Sequence, residues 1–191
     1  IQNPINKVVS PQIQNKVNPY KYILGVGRLS YEKGFDQLIT AFNKAQLPKD
    51  IYLLIIGEGP EEGSLKNLID VLGLQERVKL LGFKKDVYNY YQGAELFVLP
   101  SRNEGYPNAL IEAMSIGCAC ISMDCEFGPS EIIQHNHNGL LVADKDVTGL
   151  SYAITLLIHD SSLKAKLAEN AKKINITNDL DSITSQWEAI I

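Results

Sequence analysis

From Tyr22 onward, short uninterrupted apolar runs alternate with longer stretches in which apolar residues recur every three or four positions. The runs read as strands buried on both faces, and the longer stretches as amphipathic helices laid over them. Strands are expected at residues 22–26, 51–56, 78–81, 96–99, 118–122 and 140–142. Helices are expected at 34–45, 61–72, 87–92, 107–116, 130–134 and 147–159, followed by 162–173 and 180–190. Strands that alternate with helices in this way predict an α/β fold, a Rossmann-like parallel sheet with helices on both faces. Residues 1–20 break the pattern. They are rich in Asn, Gln, Lys and Pro, with Asn3-Pro4 and Asn18-Pro19 as turn dipeptides, and read as a linker or extension. Residues 21–191 then form one domain that includes the C-terminal helices.

Composition narrows the partners. The 191 residues are 45% hydrophobic and 21% charged, ordinary for a soluble globular protein. A net charge of -4 offers no general attraction to nucleic acid or to anionic lipid, so any anionic ligand must be held locally. No apolar run is long enough to span a bilayer and the N-terminus lacks signal-peptide character, which favours a cytoplasmic location. Cys118, Cys120 and Cys125 lack His or further Cys at zinc-ligand spacing and are expected to be buried free thiols. Asn175-Ile176-Thr177 matches a glycosylation triplet by chance.

In open parallel sheets, ligands bind beyond the carboxyl ends of the strands, so candidate chemistry is sought there. The richest stretch follows the fourth strand, from Glu104 to Glu112. Pro107 presets the first helical position, and the amides of Asn108, Ala109 and Leu110 then lack intrahelical acceptors, which suits a phosphate. Two flanking carboxylates would repel a ligand that was phosphate alone, so the ligand should also donate hydroxyls. A sugar nucleotide meets both demands. A plainer alternative has Glu104 complementing the helix dipole and Glu112 on a solvated face.

The first strand is followed by Gly25-Val26-Gly27-Arg28 and then Lys33-Gly34. Ser30 stands where a dinucleotide fingerprint needs its third glycine, and the segment instead offers two cations, Arg28 and Lys33, to a diphosphate. The Gly57-Glu58-Gly59-Pro60 turn reads as mainly structural. Gly82, Phe83 and Lys84, after the third strand, offer backbone groups and apolar surface to a base. Gly128-Pro129 could rim the transferred group. Asp144 and Asp146 are spaced as in some metal sites, but Asp146 more simply caps the helix from Val147.

Together these residues resemble the carboxyl-terminal, donor-binding half of the retaining glycosyltransferases of family four, the group one transferases with the GT-B fold. The likeness rests on Gly27-Arg28-Leu29 with Lys33-Gly34, Gly57-Glu58-Gly59-Pro60, Leu81-Gly82-Phe83, the Glu104–Glu112 pair with seven residues between, and Ala113-Met114-Ser115-Ile116-Gly117. The resemblance implies that Arg28 and Lys33 bind the donor diphosphate, Glu104 contacts the donor sugar and Glu112 holds ribose hydroxyls. The amides of Asn108, Ala109 and Leu110 would face the ligand, and Gly27, Gly82, Phe83 and Lys84 would line it. Neither cofactor nor metal is expected. The implied partners are a nucleotide sugar, with a UDP-sugar favoured, and an amino-terminal acceptor-binding domain of the same enzyme. Any membrane contact, peripheral at an inner membrane, would come through that other half. The wording of residues 124–133 is similar to bacterial enzymes that build surface polysaccharide or lipid-linked glycans. Other readings of the same crevice are a GT-B-like sugar-nucleotide epimerase and a non-catalytic nucleotide-sugar-binding module.

Overall fold

A computed structural model describes residues 19–177. Six strands form one parallel sheet: β1 (Lys21–Val26), β2 (Ile51–Ile56), β3 (Val78–Leu80), β4 (Leu96–Leu99), β5 (Cys120–Asp124) and β6 (Leu140–Ala143), in the order β3-β2-β1-β4-β5-β6. The helices are α1 (Phe35–Lys44), α2 (Glu62–Val71), α3 (Val87–Gly93), α4 (Asn108–Ile116), α5 (Pro129–Ile132), α6 (Val147–His159), α7 (Ser161–Ala171) and α8 (Ile174–Thr177).

Successive strand residues point to opposite faces, which divides the core into two layers. Ile23, Leu53, Ile55, Val98 and Ile121 pack with α1, α2 and α6, while Leu24, Leu54, Ile56, Phe97 and Leu99 pack beneath α3 and α4. The doubly wound Rossmann-like architecture is therefore the one the hydrophobic pattern predicts.

Boundaries differ where local caps override that pattern. The fifth strand begins at Cys120, two residues later than the apolar run suggests. Gly117 closes α4 in the left-handed conformation and the Cys118 amide still reaches back to Ala113 O, so Cys118 belongs to the helix exit. Pro107 is the residue before the helix and not its first turn, with φ -81° and ψ 73°. Asp160 caps α7 by accepting from the Leu163 amide, which starts that helix at Ser161. Two short elements escaped the pattern, a 3-10 turn at Tyr31–Lys33 and α8. The expected helix at 180–190 and the linker at 1–18 lie outside the described residues.

At their carboxyl ends the strands are tied by backbone. The Gly27 amide donates to Ile56 O at 3.0 Å, Leu29 to Glu58 O at 2.9 Å, and Gly57 to Gly82 O at 3.0 Å. Gly57 has φ 144°, and a Cβ on it would lie 1.8 Å from Gly27 O, so the expected structural role of this turn is met by neighbouring backbone. Gly57→Ala is expected to lower unfolding free energy by roughly 2–4 kcal/mol with an unchanged urea m-value. Wild-type stability in a denaturant titration would show that the three strand exits can part without cost.

Candidate functional site at the sheet switch point

Chain order reverses between β1 and β4, since β2 and β3 extend to one side of β1 while β4, β5 and β6 extend to the other. The connections leaving β1 and β4 diverge to opposite faces and leave a crevice between their carboxyl ends, the usual ligand position in such sheets. Arg28 and Lys33 arrive there from β1, and Glu104 from β4.

The structure joins Lys33 to Glu104. Lys33 Nζ donates to both carboxylate oxygens at 2.7 and 2.8 Å, and Ser101 Oγ donates to Glu104 Oε1 at 2.6 Å. The Glu104 side chain is 3% exposed and that of Lys33 29%, so a nearly dry carboxylate is matched by a cation with one flank in the crevice. A charge so placed is tolerable only with such partners. Arg28 is exposed, and its charge, like that of Lys33, acts on Glu32.

Arg102, two residues before Glu104, grips the β1 side. Its guanidinium donates to both Asp36 oxygens at 2.8 and 2.6 Å and to Tyr31 O at 2.7 Å, and it stacks over the Tyr31 ring at 4.2 Å. Sequence reasoning passed over Asp36, Ser101 and Arg102 as site components. The Asp36–Arg102 pair spans 66 positions, and Asp36 in the first turn of α1 has an ordinary local explanation in the helix dipole.

Glu112 stands on the side of α4 that meets α3. It is half-buried, and Oε2 accepts from the hydroxyl of the buried Tyr91 at 3.1 Å. Burial raises the Glu112 pKa from its ordinary value of 4.5, and the Tyr91 hydrogen bond partly opposes that rise. Burial also pushes the Tyr91 phenol well above its ordinary value, with the Glu112 charge adding to the shift. Tyr91 was missed because it sits among the apolar positions of its helix, and its only signal was a phenol needing a partner.

The helix-start expectation is corrected. Asn108 donates to Tyr106 O at 2.9 Å and Leu110 to Pro107 O at 3.0 Å, so among the described residues only the Ala109 amide of the three has no protein acceptor. The cause is the turn at Tyr106 and Pro107, which satisfies Asn108 before the helix begins. Gly82, Phe83 and Lys84 leave β3, two strands and about 10 Å from β1, apart from Lys33 and Glu104. Phe83 is 71% exposed, and its amide lies 3.4 Å from Glu58 Oε1. The free thiols are buried as expected, with Cys118 pushed up to about 12 by burial. Asp146 caps α6 by accepting from Gly149, and no cluster of three or more His, Cys, Asp or Glu among the described residues could hold a metal.

A doubly wound parallel sheet with a crevice at its switch point defines the class of Rossmann-like α/β domains. The family of group 1 glycosyl transferases matches residues 7–174, and the chain belongs to that family. It is 30% identical over 189 residues to an uncharacterized glycosyltransferase of Haemophilus influenzae, covering 98% of this chain and 52% of that one. It is 36% identical over 152 residues to the N-acetylgalactosamine-N,N'-diacetylbacillosaminyl-diphospho-undecaprenol 4-alpha-N-acetylgalactosaminyltransferase of Campylobacter jejuni, covering 80% and 41%. The crystal structure of HepE from Anabaena in complex with UDP superimposes with a TM-score of 0.83 at 27% identity, over 90% of this chain and 48% of that one. The chain thus spans about half the length, or less, of these relatives.

Because folding raises the Glu112 pKa, the folded state holds that proton more tightly than the unfolded chain. Its contribution favours folding below 4.5 and is lost as pH rises through the higher folded-state value. Glu112→Gln should therefore raise the thermal midpoint near neutral pH, with the gain shrinking on acidification. A midpoint that is unchanged near neutrality, or a gain that grows in acid, would contradict the assigned burial cost.

Proposed function

We propose that this chain is the donor-binding half of a retaining glycosyltransferase that draws sugar from a nucleoside-diphosphate sugar, a UDP-sugar in first place. The observation that carries the reading is the Lys33–Glu104 pair at the switch point, with the exposed Arg28 on the same exit from β1. Arg28, Lys33 and the Ala109 amide take the diphosphate, Glu104 accepts from sugar hydroxyls, and Glu112 accepts from the ribose. The β3 exit, with Gly82, Phe83 and Lys84, packs against the base, and Gly27 lets the phosphates approach the backbone.

The chemistry follows from these placements. When the bond from the anomeric carbon to the diphosphate breaks, negative charge grows on the departing phosphate oxygens, and fixed cations there lower the barrier. Two cations and an amide supply that stabilisation without a divalent metal. Glu104 already accepts from Lys33 and Ser101, which suits a positioning and charge-stabilising group better than a nucleophile. The acceptor hydroxyl then attacks on the face the diphosphate leaves, its proton passes to the departing phosphate oxygen, and the anomeric configuration is retained. An amino-terminal domain in the longer protein brings the acceptor. The Campylobacter relative's undecaprenol-linked substrate supports a lipid-linked or surface glycan as that acceptor, at the cytoplasmic side of a membrane. No helix among the described residues is long and apolar enough to cross a membrane.

Calorimetric titration with UDP, GDP and ADP, with and without EDTA, tests the reading. One nucleoside diphosphate, UDP expected, should bind unaffected by chelator, and Lys33→Ala and Glu112→Ala should each weaken it about tenfold or more. Only Glu112→Ala should erase the preference for UDP over its 2'-deoxy analogue. Failure of every nucleotide to bind this chain and the longer protein would reject the assignment.

A further inference from the structure

Lys33 ends a three-residue 3-10 turn and is followed by Gly34 at φ 65°. Such a turn has poor internal hydrogen-bond geometry and cannot hold a cation in register by itself. Its internal bonds are Lys33 to Ser30 O at 3.1 Å and Gly34 to Tyr31 O at 3.2 Å. Much of the remaining support comes from residues 100–102. The Arg102 amide donates to Glu32 O at 2.7 Å, and the guanidinium binds Tyr31 O, covers the Tyr31 ring and forks onto Asp36. Pro100 O accepts from Gln37 Nε2 at 3.1 Å and lies so close to Gly34 that a Cβ there would be 2.1 Å away. One short segment therefore both delivers Glu104 and clamps the turn that carries Lys33.

We propose that Arg102 is a positioning residue that sets the diphosphate-binding geometry by acting through Lys33. The proposal rests on the donor-binding reading above for its ligand. It does not cast Arg102 as a ligand contact, because the guanidinium is already bound to Asp36 and Tyr31 and its side chain is 14% exposed. A lysine cannot substitute. An ammonium cannot bridge both Asp36 oxygens in a planar fork while stacking on Tyr31 and reaching the Tyr31 carbonyl.

The test uses Arg102→Lys, Arg102→Ala and the milder Asp36→Asn, each alone and combined with Lys33→Ala, with circular dichroism to confirm folding. Calorimetry compares UDP with uridine, which lacks the phosphates. Arg102→Ala and Arg102→Lys should weaken UDP about tenfold, leave uridine unchanged and add less than about twofold when Lys33 is already Ala. Undiminished UDP affinity, an equal loss for uridine, or an undiminished loss in the Lys33→Ala background would overturn the proposal. A second readout needs no ligand. In ¹⁵N NMR the Lys33 ammonium should exchange slowly with water in the wild type and lose that protection in Arg102→Ala and Asp36→Asn, whereas protection unchanged in both variants would overturn it. If the wild type binds no nucleotide, the donor-binding reading falls, while the ammonium signal still decides what Arg102 does.

Discussion

A parallel sheet covered on both faces has no room for a charged side chain in the middle of its central strands. Apart from the half-buried Tyr52, the interior positions of β1, β2 and β4 are buried and apolar. Polar chemistry is pushed to the strand ends, where backbone donors and acceptors run out of partners. The carboxyl ends satisfy those groups with one another through Gly27, Leu29, Gly57 and Gly82. That braid needs positions without a side chain, which is why the family-like glycines lie there. The crevice between β1 and β4 stays open because the chain departs from it in both directions.

Two carboxylates eight residues apart in sequence meet opposite environments. Glu104 is nearly dry, yet fully served by Lys33 and Ser101. Glu112 is half-buried and among the described residues has only the Tyr91 hydroxyl as donor, so burial keeps it reluctant to ionise. A carboxylate that is desolvated but under-supplied with donors is well matched to a ligand bringing hydroxyls, since those hydroxyls replace the lost water. Glu104 differs: a ligand that engages it must share or displace the ammonium already present. The same residue type is thus fitted for two kinds of contact by its neighbours alone.

The strands and most helices were legible because burial on both faces writes itself as apolar runs, and β2, β4 and α6 fall where the pattern places them. The fifth strand slid because Cys118 and Ala119 look like strand, whereas the glycine at 117 decides that the chain is still leaving a helix. Lys33, Glu104 and Glu112 were legible as motif members, but their partners were not. Ser101, Arg102, Asp36 and Tyr91 carry ordinary local explanations, and only folding shows that residues 66 and 71 positions apart complete each other's charges. The helix start misled for a related reason, because a local turn at Tyr106 consumed an amide that capping rules leave free.

Net charge explains little of the site. At -4 the chain as a whole weakly repels a diphosphate, but at physiological salt that repulsion is screened beyond about 8 Å. What a phosphate meets at the crevice is decided inside that distance. There Asp36 is neutralised by Arg102 and Glu104 by Lys33, so these two acids contribute little free field. Arg28 is left exposed at the rim. Pairing those two acids therefore does more than stabilise the loops: it keeps their charge from repelling an anion at the crevice.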